Sequence, residues 1–199
     1  MEARTAASKL MNVIGDTCAR IEVAGSLRRG KTQVHDAEVV VQPYPHRHLD
    51  LLARLDKMVI LKQASKAVYG SGEQRYRWGN KYRGLLIDDV RVEVFLADKH
   101  NWGYILWLRT GPGDANQYVM QQMLGAPYRA RDGYWWKEGR KLSVFDEAEM
   151  FRLLTGRDSV IPPAYRSIER YRQVLLRDRW VEDVHYAEDA PAPLQGLLL

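Results

Sequence analysis

One stretch, Asp36-Ala37-Glu38-Val39-Val40-Val41, limits this chain more than any other. Its β-branched run favours an extended strand, and alternate side chains of a strand point to opposite faces. Asp36 and Glu38 then share one face, while Ala37 and Val39 turn the other way, towards a core. Two adjacent carboxylates repel and resist joint ionisation unless a cation lies between them. A lone acid-x-acid pair is ordinarily a solvated pair. Here it joins an upstream Gly25-Ser26, the basic turn Leu27-Arg28-Arg29-Gly30-Lys31, and a later acid, Glu93, flanked by Val92 and Val94. Adjacent strands that bring Glu93 beside Asp36 and Glu38 make a three-carboxylate metal site. Oxygen ligands favour magnesium or manganese over zinc, and a pair of such ions serves phosphoryl transfer. Gly25 allows close backbone approach, Ser26 and the amides around it can hold phosphate oxygens, and Arg28 and Arg29 complement a triphosphate.

The remaining pattern is mixed α/β, with a sheet first and a smaller lobe after about residue 110. Helices are expected over residues 5–20, 49–57, 100–109, 114–124, 146–154 and 166–180. Strands are expected over 21–24, 37–42, 58–64, 85–87 and 90–96, with a hairpin across 128–144. Val119, Met120 and Met123 share a helix with Asn116 and read as core.

The chain of 199 residues carries a net charge of +5, which favours polyanionic partners. Placement of that charge is more informative than its sum. Arg75, Arg77, Lys81 and Arg83 alternate with Tyr76, Trp78 and Tyr82, a mixture that pairs phosphates and stacks bases. The same segment equally fits a solvated hairpin with its aromatics packed inward. Trp135-Trp136 reads as hairpin packing ahead of base stacking. The single cysteine, Cys18, excludes an internal disulfide framework, and no apolar run has the length of a membrane span. The amino terminus lacks the apolar stretch of a signal peptide, so a cytoplasmic protein is expected. His46 and His48, beside prolines and without cysteine pairs, do not form a zinc site. Ser26 has no His-Asp partners in view, against a hydrolase nucleophile.

The Gly-Ser turn, spacer and acid-x-acid resemble the nucleotidyltransferase superfamily, and most of residues 5–166 resembles the family X DNA polymerases. Gly25-Ser26-Leu27-Arg28-Arg29-Gly30 is similar to that family's triphosphate turn. Arg91-Val92-Glu93-Val94 is similar to the segment of its third acid, which Arg91 would steady near the primer terminus. Thr110-Gly111-Pro112 resembles the cis-turn against the incoming sugar, and Asn116 falls where the family touches the base's minor-groove edge. Phe151-Arg152-Leu153-Leu154 and Ile161-Pro162-Pro163-Ala164-Tyr165-Arg166 resemble its carboxy-terminal signature. The sequence departs in Glu38 and Glu93, where aspartate is usual, and in Leu108-Arg109, which replaces an aromatic pair. His35 stands in place of a glycine; Gly25, Ser26 and Arg29 are the foremost triphosphate ligands, with Arg28 and His35 as weaker candidates.

The resemblance implies an α+β palm over residues 1–108, a thumb-like lobe over 109–187 and a loose tail over 188–199, without lyase or DNA-clamp domains. It implies an enzyme that uses two divalent cations, magnesium or manganese, and nucleoside triphosphates to extend a 3′ hydroxyl of DNA at a primer terminus or short gap. RNA is a further acceptor, no membrane is involved, and the protein is expected to be a monomer. Two other readings stand beside it. One is a template-independent transferase acting on RNA or another acceptor; the other is a catalytically silent nucleic-acid-binding module.

Overall fold

The computed structural model describes residues 2–70, 75–123, 127–176 and 184–187. In chain order the elements are α1 (Glu2–Ile14), β1 (Cys18–Val23), α2 (Gly25–Arg28), β2 (Asp36–Pro43) and α3 (His48–Ile60). Next come β3 (Ser65–Lys66), β4 (Val68–Tyr69), β5 (Arg75–Tyr76), β6 (Tyr82–Ile87), β7 (Val90–Leu96), α4 (Trp102–Thr110) and α5 (Gly113–Met123). The chain continues through β8 (Tyr128–Arg131), β9 (Tyr134–Lys137), β10 (Arg140–Lys141), α6 (Glu147–Thr155) and α7 (Ile168–Val174). The fold is mixed α/β.

A five-stranded sheet runs β1-β2-β7-β6-β3, antiparallel except for the parallel β2–β7 pair. Strand alternation divides its faces. Ala37, Val39 and Val41 of β2 join Val92 and Val94 of β7 in one core. α1 covers that face with Ala3, Ala6, Ala7, Leu10 and Ile14, and α3 with Leu51, Leu52, Leu55 and Met58, both at helical spacing. On the opposite face Val40 and Phe95 pack with Ala24, Trp102 and Leu106 in a smaller cluster, and the acids lie beyond it.

Three expected elements end elsewhere. The first helix stops at Ile14: Gly15–Thr17 form one tight turn, and Cys18, expected on the helix, starts β1. Pairing with β2 outweighs the helical spacing there. The strand expected over 58–64 is instead the end of α3, because Met58 continues that helix's buried stripe; Lys62 follows with a positive φ of 56°. The following Ser65–Lys66 pairs with β6. The last helix spans Ile168–Val174, capped by the Ser167 side chain; residues 177–180 of the expected helix, and the expected tail over 188–199, lie outside the described residues.

The second lobe has its own core, with Trp107, Val119, Trp135, Leu142, Met150, Phe151, Leu154 and Tyr171 among its members. The expected hairpin is a three-stranded meander, β10-β9-β8. Its tight turns, Asp132-Gly133 and Glu138-Gly139, have positive φ at both central residues, the conformation that suits a twisted hairpin. α4 belongs to both cores. Trp102 and Leu106 face the sheet, whereas Tyr104 and Trp107 face the second lobe, so a boundary at residue 108 would cut a shared helix. Among the described residues no helix is long and apolar enough to cross a membrane.

Candidate active site

The parallel register sets Glu38 opposite Glu93 and Asp36 opposite Arg91. Cross-strand partners point to the same face, so the three acids share the face that α1 and α3 leave uncovered. The Glu38 carboxyl is raised to about 7, chiefly by burial and further by Glu93 and Asp36, against the opposing charges of Arg109 and Arg29. Gly25 explains part of that burial. Its φ is +62°, and a Cβ there would run into the Glu38 carboxylate, so the turn demands glycine for both conformation and space. The turn is held to the strand by Ala24 N–H, which donates to the Glu38 carbonyl at 2.7 Å. Ser26 is half-buried within this turn, and His35 is exposed just before β2.

A carboxyl whose folded pKa lies near 7, against an ordinary value of 4.5, holds its proton longer in the folded than in the unfolded chain. Folding stability therefore falls as pH rises from about 4.5 to about 7, by roughly 3 kcal/mol at most. Thermal melting in a chelating buffer should record that decline in the wild type. Glu38→Gln should flatten it, and a variant that keeps the full decline would place its source elsewhere.

The arginines divide. Arg29 donates to the Thr110 carbonyl at 2.7 Å, and its charge acts on Glu38. Arg28 turns towards the second lobe, donating to Thr110 Oγ1 at 2.8 Å and to Glu147 at 2.6 Å. Glu147 is itself buried and lies 2.9 Å from Arg166 Nη2, whose side chain has no exposed surface. Arg28, expected as a phosphate ligand, thus carries an internal ion pair instead. Asn116 is likewise engaged within the protein. Its amide donates to the carbonyls of Leu108 and Gly111 and fixes the Thr110-Gly111 turn from behind. The cis turn implied by the resemblance is absent: every peptide bond among the described residues is trans.

Arg109 and Tyr69, without an assigned role in the sequence, lie on this face beside Tyr82. The Arg109 guanidinium is 3.8 Å from the Phe95 ring centroid and acts electrostatically on Glu38. Tyr69 donates to Glu93 Oε1 at 3.2 Å and shares a 2.7 Å hydrogen bond with the Tyr82 hydroxyl. Burial, the Tyr69 bond and Glu93 together raise Tyr82 well above the ordinary phenol range. Tyr69 reaches across because Gly84, opposite Glu93 on β6, has no side chain; a Cβ there would strike the Tyr69 ring. Arg77 lies 4.5 Å and Arg91 5.6 Å from the Tyr69 ring centroid. The strand expected over 85–87 leaves Gly84 outside it; once β6 begins at Tyr82, a glycine inside the strand marks close approach by something else.

Of the basic residues expected on a nucleic-acid surface, Arg75 and Arg77 are exposed, and Lys81 is exposed while donating to the Asp132 carbonyl at 3.1 Å. Arg83 is the exception. It is buried, donates to the carbonyls of Leu52 and Gly79, pairs with Asp56 at 2.9 Å and lies over Trp78. Its strand parity, one residue from Tyr82 and Gly84, turns it towards α3 and away from solvent. Replacing Arg75, Arg77 and Lys81 by alanine should lower the slope of log affinity against log salt for duplex DNA by up to about 3. Arg83→Ala should leave the slope alone and cost roughly 2 kcal/mol of stability. A change in slope without loss of stability would reverse that assignment.

All three acids offer oxygen donors, which suit magnesium or manganese. As the side chains stand, among the described residues no three His, Cys, Asp or Glu groups converge closely enough to hold a metal ion, and Glu93 is engaged by Tyr69. The chain matches no model of a known protein family and no curated protein.

Proposed function

We infer that this chain is a divalent-metal-dependent nucleotidyltransferase that adds nucleotides to a 3′ hydroxyl of DNA, at a primer terminus or a short gap. One observation carries the reading: Glu93 stands opposite Glu38 on parallel strands, with Asp36 on the same face and a Gly-Ser turn packed on Glu38. Like charges gathered on a partly apolar face destabilise a fold, and a cation is the simplest occupant that offsets them.

Asp36, Glu38 and Glu93 are the residues that would hold magnesium or manganese. When bound, two such ions supply a more acidic 3′ hydroxyl and charge neutralisation at the triphosphate and leaving pyrophosphate. Gly25 and Ser26 bring backbone amides and a hydroxyl to the phosphate oxygens. Arg29, adjacent to that turn, adds positive charge, and Arg109 extends it across the carboxylate face. Arg28, Thr110, Gly111 and Asn116 act one step back, holding the turn and the end of α4 in register. Arg91, exposed on the strand of Glu93, and Arg77, exposed over the Tyr69 ring, would meet the backbone of a primer strand.

The test is extension of labelled single-stranded, primed and gapped DNA and RNA, with each nucleoside triphosphate supplied singly and either metal. Addition to DNA that requires metal supports the reading. Nucleic-acid binding without addition, under all of these conditions, would favour the silent binding module instead.

A further inference from the structure

We propose that the outward face of the β8–β10 sheet is a separate binding surface for single-stranded nucleic acid, in which Tyr134 and Trp136 stack bases and Arg129, Arg131 and Lys141 pair phosphates. The register separates the two faces of this sheet. Tyr128 opposes Lys137 and Ala130 opposes Trp135 on the inner side, where Tyr128 and Trp135 are buried in the second core. Arg129 opposes Trp136, Arg131 opposes Tyr134, and Lys141 opposes Trp136 from the other flank. The outward strand positions are therefore three cations and two aromatic rings, and none is an acid.

Their detailed arrangement favours nucleic acid over a merely solvated face. Trp136 is half-buried, and its indole N–H donates to the Arg131 carbonyl at 3.1 Å, which fixes the ring on the sheet. Tyr134 is anchored through its hydroxyl to Asp98. Two pinned rings, two residues apart on one strand, are spaced by about 7 Å. Arg131 lies 5.8 Å from the Trp136 ring centroid, and Lys141 lies 4.2 Å from that of Tyr134. Cations beside fixed rings are the combination that holds a single strand, with stacking that tolerates any base. Asp132, at the end of the sheet, pairs with Arg131 at 3.2 Å; Arg129 and Lys141 extend the positive charge away from it.

Continuity supports the same occupant. The β8–β9 turn rests on the first lobe through Lys81 Nζ to the Asp132 carbonyl and Asn101 Nδ2 to the Gly133 carbonyl. The aromatic-basic face thus begins at the turn that the exposed Lys81 touches. An acidic protein segment would satisfy the charges and leave both rings without purpose.

The surface does not rest on the catalytic reading, and its test needs neither metal nor triphosphate. Binding of a fluorescein-labelled oligothymidylate to the full chain is followed by anisotropy in a chelating buffer across a salt series. Trp136→Leu should weaken binding about five- to 150-fold, the range spanned by one lost base stack. Arg129→Ala with Arg131→Ala should reduce the salt slope by about 1.4. If Trp136→Leu melts early, Trp136→Phe, which keeps a ring, and Arg129→Glu, which reverses a charge, serve instead: the first should retain most of the affinity and the second should lose it. Unaltered affinity and slope in folded variants would overturn the proposal. Displacement of the oligonucleotide by polyglutamate at matching charge concentration would overturn it too, in favour of an acidic protein partner.

Discussion

Asp36→Asn and Glu93→Gln should each slow nucleotide addition by about a thousandfold or more, roughly 4 kcal/mol in the barrier. Each substitution keeps the shape of the side chain and removes one of the charges gathered between β2 and β7. In Glu93→Gln the amide oxygen would still accept the Tyr69 hydrogen bond, so the local packing survives. In metal-free buffer both variants should melt at or above the wild-type temperature, because a repulsion that helps raise Glu38 to about 7 has been relieved. Lost activity combined with retained stability is the signature of a charge kept for chemistry. Single-nucleotide incorporation on primed DNA, beside thermal melting with a chelator, reads both quantities. Turnover within about tenfold of the wild type in either variant, a change of only about 1.4 kcal/mol, would move the centre away from these residues.

The largest loss of stability should follow Glu147→Gln. Glu147 lies between Arg28, at 2.6 Å, and Arg166, at 2.9 Å, and the Arg166 side chain is fully enclosed. Removing its charge leaves two arginines without their common counter-ion, one of them with no route to water. Breaking a buried pair in this way costs about 3–5 kcal/mol, or about 6–20 °C in melting temperature for a domain of this size. Replacing Glu147 and Arg166 together by apolar residues should recover part of that loss, since a well-packed apolar pair needs no counter-ion. Denaturant unfolding of the single and double variants measures it. A single-variant loss below about 1 kcal/mol would mean that neither arginine depends on Glu147.

The acids were legible in the sequence because strand parity is a local property: residues two apart share a face wherever the strand goes. Their conjunction with Glu93 depends on strand adjacency, and the register that sets it opposite Glu38 has no local signature. The roles of Arg28, Asn116 and Arg83 were less legible for a physical reason. A polar side chain next to a candidate site looks alike on paper whether it points into the cleft or satisfies a buried carbonyl behind it. Asn116 and Arg83 do the latter. Tyr69 was hidden because its place depends on β4 folding back over Gly84, a contact fixed by the tertiary arrangement. The strand expected over 58–64 shows the limit of periodicity: a short apolar run fits either period, and here the stripe of α3 decided it.

The position of α4 has a consequence for how the molecule behaves as a whole. A helix with Trp102 and Leu106 in one core and Tyr104 and Trp107 in the other gives the two lobes a common wall. Neither lobe can melt without exposing that wall, so local openings on either side cost close to the global free energy and the chain should unfold as one cooperative unit. The same wall shapes motion. With α4 itself spanning the junction, one lobe adjusts to the other by small sliding of packed side chains along that helix, the shear mode, instead of swinging about a hinge.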